Sequence, residues 1–291
     1  YAHPLMESAL SSTFGVLVYQ EQVMQISRDV CGFTGGEADT LRKAIGKKKL
    51  DVMEKMQVQF IEGAVKNGVP KEVIEKFWKD LLGFADYCFN KSHSACYGMI
   101  SYWTAYLKTH YPSAFMAALM TSDQDATDRL AIEIAECNHM GLKVMAPDVN
   151  ESFAEFAVVP GTNAIRFGMN AVKNVGTNAV EEILRAREEG KFSTVEDFLR
   201  RVNVRIVNRK NLESLIKAGA FDTFGERGDL LYNIETMLSY ANKLQKEQNS
   251  GQVDLFGNLL DSLIPALKLE STPTKVSEHE MLQWERELLG L

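Results

Sequence analysis

The sequence predicts a mainly α-helical protein in which one short β-hairpin separates two helical regions. Apolar residues recur every three or four positions through residues 11–145, which is the period of an amphipathic helix. Near residue 150 the pattern changes to alternation around a turn, and helical spacing resumes over residues 170–246. The 291 residues reach the size at which single cores stop growing, about 250–300 residues, so we expect two or more domains.

Composition excludes several classes of protein. The chain is 45% apolar and 24% charged, and its 32 basic and 39 acidic residues give a formal net charge of −7. No apolar run approaches the about 20 residues that span a bilayer, and the start lacks signal-peptide features, so we expect a cytosolic protein with no membrane partner. The four cysteines and five histidines lack metal-ligand spacing, and we expect no bound metal. Because the chain opens with Tyr1 and stops inside an apparent helix, we expect a piece of a longer protein.

We expect consecutive helices in the first region, including the following three. Residues 70–82 carry an apolar stripe around Trp78, which is typical of a core helix. Over residues 94–110 we interpret the aromatic side chains as a packed face rather than a base-stacking platform. Pro112 then breaks the chain ahead of a helix over residues 114–120, because proline disfavours helical geometry in the residue before it.

Alternation predicts the hairpin and the first domain boundary. Apolar residues at 153, 156 and 158 precede the turn residues 160–163, and Ile165 and Phe167 follow them, which places a boundary near residue 150. Further along, Ser193 and Glu196 have capping-box spacing. After Lys246 the apolar periodicity is weak, which predicts a linker. The sequence then ends in an amphipathic helix that contains Met281, Leu282, Trp284, Leu288 and Leu289.

A turn between two helical patterns could bind phosphate. A helix that ends at Lys173, turns through Asn174 and Gly176 and restarts at Thr177 would point several backbone amides outward. This resembles the helix-hairpin-helix motif of DNA-binding proteins, with Asn174 in place of the first glycine, and asparagine tolerates the left-handed conformation better than most residues. The alternative is an ordinary helix connection with a glycine C-cap and a threonine N-cap.

Residues 208–222 look like the partner hairpin of a tandem pair. The stretch opens with Arg209 and Lys210, and Arg201, Arg205 and Lys217 add local positive charge. Two hairpins can hold phosphates at two points, which gives affinity and salt dependence but little sequence preference.

Two further segments carry cations. Residues 41–50 hold five basic side chains and no acid, on and after a helix that starts near Glu37 and ends at Gly46; they suit a polyphosphate or nucleic-acid backbone, or form a solvated face. Lys91 and His93 lie just before a predicted helix. No third group orients the histidine for nucleophilic catalysis, so we expect phosphate or substrate contacts there, with a structural turn as the alternative.

Taken together, these segments identify a family. Residues 14–24, 35–49, 89–94, 102–108 and 146–150 closely resemble bacterial C-family replicative DNA polymerases, and with the two hairpins the similarity covers essentially the whole chain. The resemblance implies a multi-helix fingers domain over residues 1–150 and a tandem helix-hairpin-helix domain over residues 151–246. Residues 247–291 would be a linker with a clamp-binding motif and the start of the next domain.

The resemblance also implies sites and partners. The expected partners are primer–template DNA, deoxynucleoside triphosphates, a sliding clamp and other replicase subunits. Nucleotide or template contacts are expected at Arg42, Lys43, Lys47, Lys48, Lys91 and His93. Duplex DNA contacts are expected at Lys173, Asn174, Gly176, Thr177, Arg209 and Lys210. The clamp-binding peptide would use Gln252, Asp254, Leu255 and Phe256.

Catalysis in this family requires two magnesium ions held by aspartates of a palm domain upstream of the fingers. This chain has no such acidic run, and we interpret Asp123, Asp125 and Asp128 as capping or surface residues. We therefore expect magnesium ligands outside the chain, and a piece that alone incorporates no nucleotide. The alternative is a non-enzymatic helix-hairpin-helix protein that binds DNA or acts as a scaffold.

Overall fold

The computed structural model describes residues 1–47, 49–84, 89–250 and 266–290, and it confirms the mainly helical fold. Its described part forms two compact units, Tyr1–Ala105 and Tyr106–Leu291. Residues 106–150, which the sequence grouped with the first domain, thus belong to the second compact unit. The predicted functional domains at 1–150, 151–246 and 247–291 stay predictions.

Helices build the first unit. They are α1 (Glu7–Leu10), α2 (Gln20–Asp29), α3 (Gly35–Gly46), α4 (Leu50–Lys66), α5 (Lys71–Phe84) and the start of α6 (Lys91–His110). The predicted core helix is confirmed as α5, whose Trp78 is 1% exposed and lies 4.9 Å from the ring of Phe60 on α4. Thr34 caps α3 and exchanges hydrogen bonds with Glu37, so α3 begins two residues before the predicted start.

Helix α6 differs from the prediction. None of its residues is buried, and Tyr97 and Trp103 are 59% and 56% exposed. The expected packed face is therefore wrong for the part of the chain that the structure describes. Helical spacing of aromatic residues predicts a face, but it carries no information about which element covers that face.

The second unit contains the remaining elements. They are α7 (Pro112–Ser122), α8 (Thr127–His139), β1 (Val144–Met145), β2 (Ala157–Val158), β3 (Ile165–Arg166), α9 (Thr177–Arg187), α10 (Val195–Arg201), α11 (Arg209–Lys217), α12 (Arg227–Tyr232), α13 (Ile234–Ser250) and α14 (Glu278–Leu289). Antiparallel pairing of β2 with β3 confirms the hairpin, with Val158 opposite Ile165. Strand β1 pairs parallel to β3, which the sequence did not indicate because two residues are too short to show a period.

The core of the second unit extends from α7 to α14. Phe198 and Phe221 pack edge to face with ring centroids 4.9 Å apart, and Leu288 and Leu289 at the end of α14 are buried in the same core. The last helix, which the sequence assigned to the start of a following domain, thus packs into the hairpin region.

One capping prediction needs correction. The N-cap of α10 is Thr194, whose hydroxyl accepts the amide of Asp197, while the Asp197 carboxylate accepts the amide of Ser193 at 2.9 Å. Glu196 instead accepts a hydrogen bond from the Tyr240 hydroxyl at 2.6 Å. The sequence offered two adjacent hydroxyl residues, and the structure uses the second, Thr194, which has Asp197 three residues after it.

Candidate nucleic-acid interface

The basic end of α3 is organised by one carboxylate. Asp39 accepts hydrogen bonds from Arg42 Nε at 2.9 Å and pairs with Lys43 Nζ at 2.7 Å. These hydrogen bonds, first from Lys43 and then from Arg42, hold the pKa of the Asp39 carboxyl below its ordinary value. One carboxylate between two cations leaves one positive charge in excess. Both cationic groups remain accessible to solvent, because the Arg42 side chain is 28% exposed and the Lys43 side chain is 61% exposed.

Lys47 follows as the C-cap of α3 and is exposed. It therefore extends the run of basic side chains at the C-terminal end of this helix toward solvent. Lys48 lies outside the described residues.

The start of α6 is fixed against α2. The Lys91 amide donates to both Glu21 carboxylate oxygens, at 3.0 and 3.2 Å, and its ammonium lies 5.8 Å from the Tyr19 ring centroid. The His93 amide donates to Asn90 Oδ1 at 3.0 Å, so this amide in the first turn of the helix has a hydrogen-bond acceptor. The Lys91 ammonium thus projects from a fixed backbone.

Two consecutive residues of α2 bring these basic segments together. Gln20 Oε1 accepts a hydrogen bond from Arg42 Nη1 at 3.3 Å, and its neighbour Glu21 holds the Lys91 backbone. The Arg42 side chain of α3 and the Lys91 backbone of α6 thus both contact the first turn of α2. Sequence analysis missed Gln20 and Glu21 because no local signal links them to residues so far along the chain, whereas Asp39 was readable from its spacing of three and four to Arg42 and Lys43.

The predicted phosphate-binding turn forms in the second unit. Asn174 has a φ of 68°, the left-handed conformation that the motif requires, and Gly176 is the N-cap of α9, which begins at Thr177. The segment before the turn is a short 3₁₀ turn, Met169–Ala171, rather than the expected α-helix ending at Lys173.

The free amides lie later in this turn than the sequence suggested. The amides of Gly176, Thr177 and Asn178 make no hydrogen bond to any described residue, whereas the Lys173 amide donates to the Leu288 carbonyl at 3.0 Å. Lys173 can therefore offer its exposed side chain but not its amide. Donors at a helix N-terminus, where the macrodipole is positive, form an anion site.

The second predicted segment lies against this turn. Asn211 Nδ2 donates to the Asn174 carbonyl at 2.8 Å, while Asn208 and Asn211 form a reciprocal cap at the start of α11. The structure thus brings Asn174 and the N-terminus of α11 together. The sequence did not single out Asn211, although the spacing of three between the two asparagines was a capping signal.

Arg209 and Lys210 occupy the first turn of α11, next to this contact. Arg209 pairs with Glu235, and the Lys210 side chain is exposed. Of the two, Lys210 is the one whose side chain has no ion pair among the described residues. The turn therefore combines outward amides with positive side chains, the arrangement that suits a phosphodiester backbone.

Comparison with known proteins identifies the family. Residues 1–68 match the bacterial DNA polymerase III alpha subunit finger domain, and residues 141–230 match the helix-hairpin-helix motif. The DNA polymerase III subunit alpha of Saccharopolyspora erythraea is 45% identical over 98% of this chain and 24% of its own length. Those of Campylobacter jejuni and Thermus aquaticus are 42% and 43% identical over all of this chain, and over 24% and 23% of their own lengths. The chain belongs to the bacterial DNA polymerase III alpha subunit family. It spans about a quarter of the length of these relatives.

Two of the expectations drawn from the sequence concern metal and membrane. Among the described residues, no group of three His, Cys, Asp or Glu side chains could hold a metal ion. Asp123 is the C-cap of α7 and pairs with Arg129 at 2.9 Å, while Asp125 and Asp128 are exposed. These carboxylates do not fit a magnesium centre, and we assign none to them. The helices described include none that is both long and apolar enough to span a bilayer.

The predicted clamp-binding peptide lies outside the described residues, and so do its residues Gln252, Asp254, Leu255 and Phe256.

Proposed function

We propose that this chain is the part of a replicative DNA polymerase alpha subunit that contacts primer–template DNA, the incoming deoxynucleoside triphosphate and the sliding clamp. The parent protein adds deoxynucleotides to a DNA 3′ end in a template-directed, magnesium-dependent reaction. Its magnesium ligands lie outside this chain, and other replicase subunits are its further partners. Family membership at 42–45% identity supports this assignment.

Duplex DNA binds, in this proposal, at the junction of the two hairpin segments. The observation that carries it is the 2.8 Å hydrogen bond from Asn211 Nδ2 to the Asn174 carbonyl. This bond holds two positive helix N-termini side by side, so their donors can reach phosphates of one backbone. The contacting residues are Lys173, Asn174, Gly176, Thr177, Arg209 and Lys210.

The incoming nucleotide or the template meets the basic end of α3 and the start of α6. The contact between Gln20 and Arg42, next to the contact between Glu21 and Lys91, supports a shared role for these segments. A planar guanidinium held by Asp39 retains donors for a triphosphate oxygen, and the ammonium groups add charge. The residues of this proposal are Arg42, Lys43, Lys47, Lys48, Lys91 and His93.

The clamp-binding peptide tethers the polymerase to its ring. Gln252 would supply a directional hydrogen bond, Leu255 and Phe256 would fill an apolar pocket, and Asp254 lies between them in the motif. Tethering raises the effective concentration of polymerase at the primer end. Replacing Leu255 and Phe256 by alanine should abolish retention on immobilised clamp; unchanged retention would refute this part of the proposal.

DNA binding is tested by fluorescence anisotropy of a labelled primer–template over a series of salt concentrations. The logarithm of the binding constant should fall linearly with the logarithm of salt concentration, and Lys210→Gln should reduce the magnitude of that slope by about 0.9. Lys71→Gln removes an exposed charge on α5 and is the charge-matched control. Equal slopes for both variants and the native chain would contradict the DNA-binding site.

Nucleotide incorporation tests the proposal that the magnesium ligands lie outside this chain. The purified chain, supplied with primer–template, deoxynucleoside triphosphates and Mg²⁺, should extend no primer, because the proposed magnesium ligands are elsewhere. Measurable template-directed extension would refute that placement. In the full-length parent, Lys91→Gln should raise KM for the nucleotide more than it lowers kcat.

A further inference from the structure

A cleft rich in arginine lies in the second unit, apart from the residues assigned above. Its volume is about 240 Å³, and it is lined by residues of α9, α10, α13 and the segment after α10. The lining residues are Glu182, Arg185, Arg200, Arg201, Val202, Asn203, Arg205 and Gln245. Half of them are arginines, which makes an anion the natural occupant.

Carboxylates fix the position of three of these arginines. Glu182, buried on α9, accepts two hydrogen bonds from Arg185, at 2.7 and 2.8 Å. Arg200 pairs with Glu196 at 3.1 Å, and Arg201 pairs with Asp197 at 2.8 Å. The walls of the cleft are therefore held in place before any ligand arrives, which lowers the cost of ordering on binding.

Arg205 supplies the uncompensated charge. Arg185, Arg200 and Arg201 each pair with a carboxylate, whereas the exposed Arg205 side chain makes no hydrogen bond or ion pair within the described residues. Beside it, Arg185 is 57% exposed, and its Nη1 donates to no described acceptor. An oxyanion in the cleft would therefore meet one guanidinium already oriented by Glu182 and a second, that of Arg205, with no carboxylate partner among the described residues.

The lining of the cleft selects the kind of anion. Guanidinium groups bind phosphate oxygens, and the described residues that line the cleft include no aromatic side chain on which a base could stack. The cleft therefore suits a phosphate group of a nucleic-acid chain, with no base bound beside it.

The cleft continues from the hairpin site along two elements. Helix α9 starts at the free amides of Thr177 and reaches Arg185 eight residues later, about 12 Å along the axis. The segment that carries Arg205 also runs directly into Asn208, the cap of α11.

We propose that this cleft binds a backbone phosphate of the same DNA that the hairpin turn holds, with Arg205 and Arg185 as the contacting residues. The proposal rests on the proposed function, and it adds a phosphate position beyond the two hairpins. No base is read there, so the contact adds affinity and salt dependence without sequence preference.

The test compares Arg205→Gln with Arg205→Lys, using anisotropy of a labelled primer–template across salt concentrations. Arg205→Gln should reduce the magnitude of the salt slope by about 0.9, and Arg205→Lys should retain the native slope because the charge remains. Lys71→Gln again serves as the charge-matched control. The urea midpoint should be unchanged in Arg205→Gln, since the Arg205 side chain supports no other described group.

Two results would overturn the proposal. If Arg205→Gln binds DNA with native affinity and slope while Lys210→Gln is weakened, the cleft is not on the DNA path and the hairpin function stands. If Arg205→Gln loses binding of inorganic phosphate, measured by calorimetry, but keeps native DNA binding, the cleft is a site for a free anion. Native slopes for both Arg205→Gln and Lys210→Gln would instead refute the DNA-binding function itself.

Discussion

Asn211 donates a hydrogen bond from its side-chain nitrogen to the backbone carbonyl of Asn174 at 2.8 Å. This bond joins a turn to a helix start that lies 37 residues further along the chain. Asn211 also accepts the Asn208 amide through its Oδ1, so one buried side chain caps α11 and fixes the turn. The geometry of the candidate DNA site therefore depends on an asparagine that itself contacts no phosphate.

Replacing Asn211 by alanine should destabilise the chain and weaken DNA binding together. Loss of a cap and of a buried hydrogen bond costs about 1–2 kcal/mol, measured as the free energy of unfolding in urea. Asn211→Asp is the matched variant, because it keeps the capping acceptor but loses the donor to Asn174. It should recover part of the stability without recovering DNA affinity. Native DNA affinity in both variants would show that the turn needs no support from α11.

The left-handed conformation of Asn174 gives a second prediction. At a φ of 68° a residue with a Cβ is strained, and alanine should cost about 1 kcal/mol of folding free energy there. Asn174→Gly should keep the turn, since glycine adopts this conformation freely and the side-chain contact to Ser214 is long, at 3.5 Å. We expect native DNA affinity for Asn174→Gly and reduced affinity for Asn174→Ala. An equal loss of DNA affinity in both variants would show instead that the asparagine side chain itself contacts the DNA.

Much of this fold could be predicted because its signals are local. The apolar stripe of α5, the alternation around residues 160–163 and the end of α3 at Gly46 all depend on short-range spacing, and each is confirmed. The turn at Asn174 was also predictable, because few residues other than glycine adopt a positive φ.

The remainder depended on contacts between distant residues. The Lys173 amide donates to the Leu288 carbonyl, and the Glu196 carboxylate accepts the Tyr240 hydroxyl. Neither partner is indicated by sequence spacing. The exposed aromatic residues of α6 show the same limit. Periodicity predicted a packed face on this helix, but it gave no information about which element would cover that face.

Gly63 on α4 allows a stringent test of packing in the first unit. A Cβ at this position would lie 1.8 Å from the carbonyl oxygen of Cys31, so the backbone must move to accept it. Gly63→Ala should lower the free energy of unfolding by about 1–3 kcal/mol. Gly83→Ala is the control, because no atom of the described residues lies within 4 Å of its added methyl and alanine is the better helix former, worth about 0.5–1 kcal/mol. Similar urea midpoints for the two variants would contradict the close approach at Gly63.

Glu133 on α8 should make stability depend on pH near neutrality. Burial, and then a hydrogen bond with Asp123, raises the pKa of its carboxyl to about 7, with Arg129 acting in the opposite direction. In the unfolded chain a glutamate has a pKa of about 4.3, so between these values the folded protein holds a proton that the unfolded chain has released. Stability should therefore fall as the pH rises from about 4.3 to about 7, and Glu133→Gln, which stays neutral, should remove that fall. Glu136→Gln is the contrasting control: its pKa is lowered by Lys108, so its contribution is lost only as the pH falls through that lowered value. Melting temperatures measured from pH 4 to pH 8 would contradict this assignment if Glu133→Gln and the native chain showed the same decline.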